Sequence, residues 1–489
     1  MIASAVVGAR SLPGVRIRLN HLLTDLNSGR SCLWLLPRKM LEGPDSPADH
    51  LFDELLNELH DFVLLPSDDP DGPPPVRPRA PARVAVPDSG LWSGLAPALD
   101  YDDGLADLFS AAPVSGPAEP ETVPAPPTEA EALADLLERL AKELGLQSDG
   151  AQESDDTAGD VLARLAGGRN GPTETRPVIV RAWREAVPSA TGHLLRRLVA
   201  TGKEAGIPPA RGPRALVVAS TEDLPPGLPG QLARENIAVH WWWGATGRLD
   251  TATVVALARP PLKSVLDRQH LYESIVQATV TEVCGPFLDV AAALAARWQD
   301  GRPETLPDAL HDVLADSPVP DGGLPETTEG ARNPARRPAE SLLPAWNAAA
   351  VDSWEGRLRH HPGHDLQREH AVASRVWLAQ NQVLLPLLDE ARERFAATVR
   401  SRARIPLQQL AEEYCSRRGT DAVVTESPDS LIETMELGAM WGAHRDGATA
   451  LTPKERRHLR VLREARNLLA HRTPLDGDRL HRLIMELYR

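Results

Sequence analysis

Arg466, Asn467 and His471 stand close together near the end of the chain, in the run Arg466-Asn467-Leu468-Leu469-Ala470-His471-Arg472-Thr473-Pro474-Leu475. Each type suits chemistry on a phosphodiester. A guanidinium binds phosphate through a fork of donors, a carboxamide orients by hydrogen bonds, and an imidazole moves protons near neutral pH. RNA carries its own nucleophile, the 2′-OH. A protein acting on RNA therefore needs only to position the phosphate, stabilise charge developing on it and move protons. The approach to these residues is basic. Lys454, Arg456, Arg457, Arg460 and Arg463 face only Glu455 and Glu464. Arg460, Arg463, Asn467 and His471 fall near one stripe of a helix. With Arg456 and Arg472 they would form a track for a polyanion.

The element that must carry this cluster is a helix over 452–471, stopped by Thr473-Pro474. Asn467 lies one turn before His471, so both share a face. Arg466 does not, because five residues place it about 140° around the helix from His471. Either the helix breaks before Thr473-Pro474, or the cooperating Arg and His come from two protomers. Around it the pattern over 365–489 is all helical: a long helix at about 368–402 interrupted by Pro386, then helices at 405–418, 427–442 and 476–488.

The body before this tail reads differently. Apolar runs at 32–36, 177–180, 215–219 and 237–243 suit strands buried on both faces, and helices are expected at 47–62, 128–146 and 188–205. That alternation implies a mostly parallel sheet. The expected organisation is the start of an α/β domain at 1–65 and Pro-rich linkers with a small insertion at 66–127. The α/β domain then continues at 128–258, followed by a helical lid-like region at 259–316. A linker with short helices at 317–364 leads to the separate all-α tail, 365–489. Trp241, Trp242 and Trp243 read as core and edge packing.

The body lacks a phosphate loop. Pro37-Arg38-Lys39-Met40-Leu41-Glu42-Gly43 after the first strand has no Gly-Lys-Ser/Thr, and the lone Gly202-Lys203 pair ends a helix. Ser220-Thr221-Glu222-Asp223, at a strand end, is the one polar loop there suited to a site. His360-His361-Pro362-Gly363-His364-Asp365, with His370 nearby, reads as a flexible turn rather than a zinc site. No metal and no cofactor are expected.

Charge separates the two parts. The chain has 489 residues and a net charge of −15, yet residues 365–489 hold 20 Lys/Arg against 18 Asp/Glu. An acidic body argues against nucleic-acid binding by the whole chain and leaves the tail as the polyanion site. Cys32, Cys284 and Cys415 are far apart, which fits a reduced cytoplasmic setting. The N-terminus has no signal-peptide pattern and no apolar run reaches the length of a membrane span.

The run at 466–475, closing an all-α region, resembles the HEPN family, and more narrowly the HEPN domains of abortive-infection and toxin-type proteins. The resemblance covers about residues 365–489. It implies a metal-independent endoribonuclease, active as a homodimer through this C-terminal domain, with Arg466, Asn467 and His471 catalytic and RNA bound by Arg456, Arg460, Arg463 and Arg472. The body, over about 20–315, is similar in layout to AAA+ or STAND-type P-loop NTPases whose catalytic motifs have worn away. That implies a regulatory domain holding an unknown protein partner. The expected function is an RNA-cleaving effector of a bacterial defence (antiphage) or toxin-type system. The alternative is a non-catalytic adaptor or scaffold binding RNA or partner proteins.

Overall fold

The computed structural model describes residues 12–43, 46–59, 61–66, 127–145, 161, 176–208, 212–261, 267–316, 329–332, 335–368, 370–415 and 427–488. The small insertion expected within 66–127 lies outside these residues, as do positions 317–328 of the linker expected at 317–364 and the end of the helix expected at 405–418.

Five parallel strands form the sheet: β1 (Cys32–Leu35), β2 (Val63–Leu64), β3 (Val178–Arg181), β4 (Ala215–Ala219) and β5 (Ala238–Trp241). Their order is β2-β3-β4-β1-β5. β1, β3 and β4 are apolar on both faces because helices cover both sides, as expected for a parallel sheet. The helices of this part are α1 (Pro13–Asn27), α2 (Pro47–Glu58), α3 (Glu129–Glu143), α4 (Ala190–Glu204) and α5 (Leu228–Arg234). Their apolar stripes, such as Leu136, Leu137 and Leu140 of α3, join the sheet residues in one core. Trp242 and Trp243 are buried in or against it, whereas Trp241 on β5 is half-buried against Trp346, ring centroids 5.7 Å apart.

A helical block follows: α6 (Arg248–Ala258), α7 (Asp267–Cys284), α8 (Leu288–Arg297) and α9 (Leu306–Asp316). Two polar contacts fix it. Asp250 in the first turn of α6 accepts from the amides of Gly14 (2.9 Å) and Gly247 (2.7 Å), pinning α1 to α6. Gly14 is required there, since a Cβ would meet Oδ2 of Asp250 at 2.4 Å and the carbonyl oxygen of Ala245 at 2.5 Å. Buried Arg259 makes a two-pronged pair with Glu273 (2.8 and 2.9 Å) and donates to the carbonyls of Ala295 (3.3 Å) and Trp298 (2.7 Å), tying α6 to α7 and α8.

Residues 340–365 hold a short helix α10 (Leu343–Asn347), an antiparallel hairpin β6 (Val351–Trp354) and β7 (Arg357–His360), and α11 (Pro362–Asp365). The tail comprises α12 (Ala371–Ser401), α13 (Leu407–Tyr414), α14 (Pro428–Glu433), α15 (Leu437–Arg445), α16 (Pro453–Ala470) and α17 (Gly477–Leu487). α12 runs unbroken through Pro386, because that residue lies on the exposed face where water can reach the carbonyl left without a donor. The helix expected at 427–442 is divided into α14 and α15. α12 packs along α7, and Leu271 and Ile275 of α7 belong to the tail's core. No described helix is long and apolar enough to cross a membrane.

Candidate nucleic-acid interface

α16 begins at a capping box. Thr452 Oγ1 accepts from the Glu455 amide (3.3 Å), and Glu455 accepts from the Thr452 amide (2.7 Å), with Pro453 at the first helical position. Leu459, Leu462, Ala465 and Leu469 form the buried ridge facing α12, α15 and α17. The opposite stripe, at the expected spacing, carries exposed Arg456, Arg460, Asn467 and His471 with half-buried Arg463. No described residue pairs with the side chains of Arg456, Arg460, Asn467 or His471. Arg457, a quarter-turn away, is instead neutralised by Glu486 at 3.5 Å.

Two tryptophans flank the stripe. The Arg463 guanidinium lies 5.6 Å over the ring of Trp441 on α15, and Arg472 lies 5.7 Å over Trp377 on α12. Flat cations stacked on rings are surfaces on which bases can also stack.

The structure does not bring Arg466 and His471 together in one protomer. α16 stays helical to Ala470, with His471 as its C-cap at φ −92° and ψ 16°. The turn comes only at Arg472, whose φ of 57° is left-handed. Arg466 therefore leaves the helix on the flank next to the buried ridge, half-buried, while His471 leaves on the exposed stripe. An early break in the helix does not reconcile them.

Two residues that sequence reasoning passed over hold the end of α16 and the loop after His471. Trp377 Nε1 donates to the carbonyl of Leu469 (2.7 Å). Fully buried Gln380 donates from Nε2 to the carbonyl of Leu475 (2.8 Å) and accepts from the Leu475 amide (2.7 Å). A side-chain amide thus substitutes for a neighbouring strand and fixes residues 471–475. No local pattern signals this, since the partners are 92 and 95 positions apart. Below the loop, Asp476 caps α17 through the Arg479 amide (2.7 Å).

The end of the sheet where a nucleotide would sit is filled. In open parallel sheets ligands bind beyond the carboxyl ends of the strands, where the strand order reverses, here at β1 and β4. Arg38 after β1 pairs with buried Asp223 after β4 at 3.2 Å. Asp223 also accepts from the Ser220 amide (2.8 Å), and Asn347 donates to Thr221 (2.7 Å). The Ser220–Asp223 loop is thus occupied with its own capping and with α10.

The His360–Asp365 stretch is a correction to the flexible turn expected from Pro-Gly. His360, His361, His364 and Asp365 are all buried. His361 caps α11, its Nδ1 accepting from the Gly363 amide (3.3 Å), with Pro362 at the first helical position and Phe287 edge-on at 4.9 Å. Among the described residues no group of His, Cys, Asp and Glu is placed to hold a metal ion. Arg359, Glu329, Arg375 and Asp365 form a buried ionic network beside it.

Burial pushes the His361 pKa down to about 4, with Asp289 opposing and His364 assisting. The folded protein therefore holds this imidazole neutral while the unfolded chain protonates it near pH 6.5. Stability is lost as pH falls from about 6.5 to about 4, by up to ~3 kcal/mol. Asp365, raised by burial to about 6, works in the opposite direction within that window. The measurement is therefore a difference. His361→Asn keeps a capping oxygen but cannot titrate, so its stability relative to wild type, by chemical denaturation, should rise between pH 7 and pH 4. A constant difference across that range would contradict this role.

Comparison of the chain with protein-family models, with curated proteins and with solved structures finds no match in any of the three.

Proposed function

We propose that the C-terminal helices form a metal-independent, RNA-cleaving module of the HEPN type, acting as a homodimer, in an effector of a defence or toxin-type system. The observation that carries this reading is the stripe Arg456, Arg460, Asn467 and His471 on α16. These side chains are exposed and uncompensated, whereas most arginines elsewhere in the tail, such as Arg392, Arg402 and Arg479, face carboxylates. Arg463 and Arg472, each stacked on a tryptophan, extend the stripe.

The chemistry follows from the residue types. The 2′-oxygen attacks the adjacent phosphorus, the P–O5′ bond breaks, and a 2′,3′-cyclic phosphate and a 5′-OH remain. One proton leaves the 2′-OH and one reaches the departing oxygen. His471 is the proton-moving group, Asn467 orients, and Arg466 stabilises the charged phosphorane. Because Arg466 and His471 diverge on an intact helix, the site joins Arg466 of one protomer to His471 of the other.

The α/β part serves as a non-hydrolysing regulatory domain that holds a partner protein. Its parallel sheet followed by a helical block is the layout on which the similarity to AAA+ and STAND-type domains rests. The Arg38–Asp223 pair at the switch point supports the loss of nucleotide chemistry. The test is RNA cleavage in the presence of EDTA, with analysis of the product ends. A non-catalytic adaptor would bind RNA through the same stripe and leave it intact.

A further inference from the structure

β5 is one of the two edge strands of the sheet, β2 being the other. Ala238 donates its amide to the carbonyl of Ser31 and Trp242 donates to Leu35, both at 2.9 Å. In a parallel ladder alternate residues point the same way, so the N–H and C=O groups of Val239 and Trp241 face away from β1. Among the described residues no strand takes them up. The edge also lacks the proline, lysine or bulge that usually blunts such a strand.

A groove of about 640 Å³ runs along this edge. All four β5 residues, Ala238 to Trp241, line it. Since successive side chains of a strand point to opposite faces, a groove touched by four in a row follows the edge rather than either face. α1 forms one wall and α5 the other.

The groove is strongly basic. Arg18, Arg30, Arg336 and Arg337 line it, with Asp25 as the acid. Asp25 is already engaged by Arg30 (2.8 Å) and His240 (3.0 Å). Among the described residues Arg18 hydrogen-bonds only to the carbonyls of Trp243 (3.1 Å) and Gly244 (3.2 Å), with Asp352 close enough to act on its charge, and no described carboxylate pairs with exposed Arg336 or Arg337. Burial lowers the Arg18 pKa, and nearby Arg336 lowers it further while Asp352 opposes, so two like charges lie close together there.

We propose that this groove docks an extended acidic peptide of a partner protein as a sixth strand on β5, its backbone paired to Val239 and Trp241 and its carboxylates on Arg18, Arg336 and Arg337. Backbone pairing gives affinity without sequence, and the arginines select for acidic character. This commits the partner-holding role of the α/β part to one surface and one chemistry. It stands apart from the RNA site and does not depend on cleavage.

The experiment uses the full chain and a fluorescein-labelled, alternating Val-Glu peptide, followed by anisotropy, with an alternating Val-Lys peptide as comparison. The wild-type chain should bind the Val-Glu peptide, with affinity falling as salt rises, and should protect the Val239 and Trp241 amides in hydrogen exchange. Val239→Pro removes an outward N–H and no ladder bond, so it should fold normally and bind about tenfold or more weakly. Arg336→Glu with Arg337→Glu, both on exposed positions, should weaken binding by a similar factor independently of any effect of proline on the fold. The proposal is overturned if the Val-Glu peptide does not bind, or if the Val-Lys peptide binds equally. It is also overturned if folded Val239→Pro binds like wild type, including the case where pyrophosphate displaces the peptide, which would mark a small-anion site.

Discussion

His471→Ala is expected to lower the rate of RNA cleavage in EDTA by about 100-fold or more while leaving RNA affinity within a few-fold of wild type. His471 is the C-cap of α16, exposed and without a described side-chain partner, so its removal should cost about 0.5 kcal/mol of stability or less. In the proposed function binding is shared by several arginines along the stripe, each contributing a part of the counterion release. In the same proposal proton transfer falls to the one imidazole. Loss of rate without loss of affinity is therefore the expected signature. Equal cleavage by wild type and variant would remove His471 from the chemistry.

Gln380→Leu is expected to cost about 2–4 kcal/mol in stability and to depress cleavage at temperatures well below the unfolding transition. Leucine nearly matches the volume of glutamine but leaves the buried N–H and C=O of Leu475 without partners, each worth about 1–3 kcal/mol. The same change frees the loop in which Arg472 takes its left-handed turn, next to His471. In the proposed function Gln380 is a positioning residue, since it holds the loop beside His471. Chemical denaturation reads the stability and a titration of RNA against rate reads the site. A Gln380→Leu variant as stable and active as wild type would show that Trp377, through Leu469, anchors the loop alone.

The contrast between Gln380 and His471 also shows what the sequence could reveal. The stripe on α16 was legible because one helix carries it, and helical spacing is a local property. β1, β3, β4 and β5 were legible because buried parallel strands are continuous apolar runs. β2 lies in a comparable run, Phe62-Val63-Leu64-Leu65, but that run follows directly on the helix expected at 47–62 and reads as its end. The hairpin of β6 and β7 leaves little trace because each strand is four residues long and neither Val351-Asp352-Ser353-Trp354 nor Arg357-Leu358-Arg359-His360 sustains a strand's alternation or an apolar run. Its signal lay in the turn, where Glu355 and Gly356 both have positive φ, at 52° and 70°. The buried histidines were taken for a loop because Pro362-Gly363 reads as a turn, although proline after a capping residue also starts a helix. The Gln380–Leu475 clamp and the β5 groove join elements far apart in sequence, and no local pattern records them.

The central claim is that one phosphodiester is served by Arg466 of one protomer and His471 of the other. Mixing two inactive variants, Arg466→Ala and His471→Ala, after exchange of subunits tests it most directly. In a mixed dimer one composite site loses both residues and the other keeps both. An equal mixture should therefore recover about a quarter of wild-type cleavage in EDTA, with 2′,3′-cyclic phosphate ends. An inactive mixture whose subunits demonstrably exchange would contradict the composite site, as would a chain that remains monomeric while cleaving RNA.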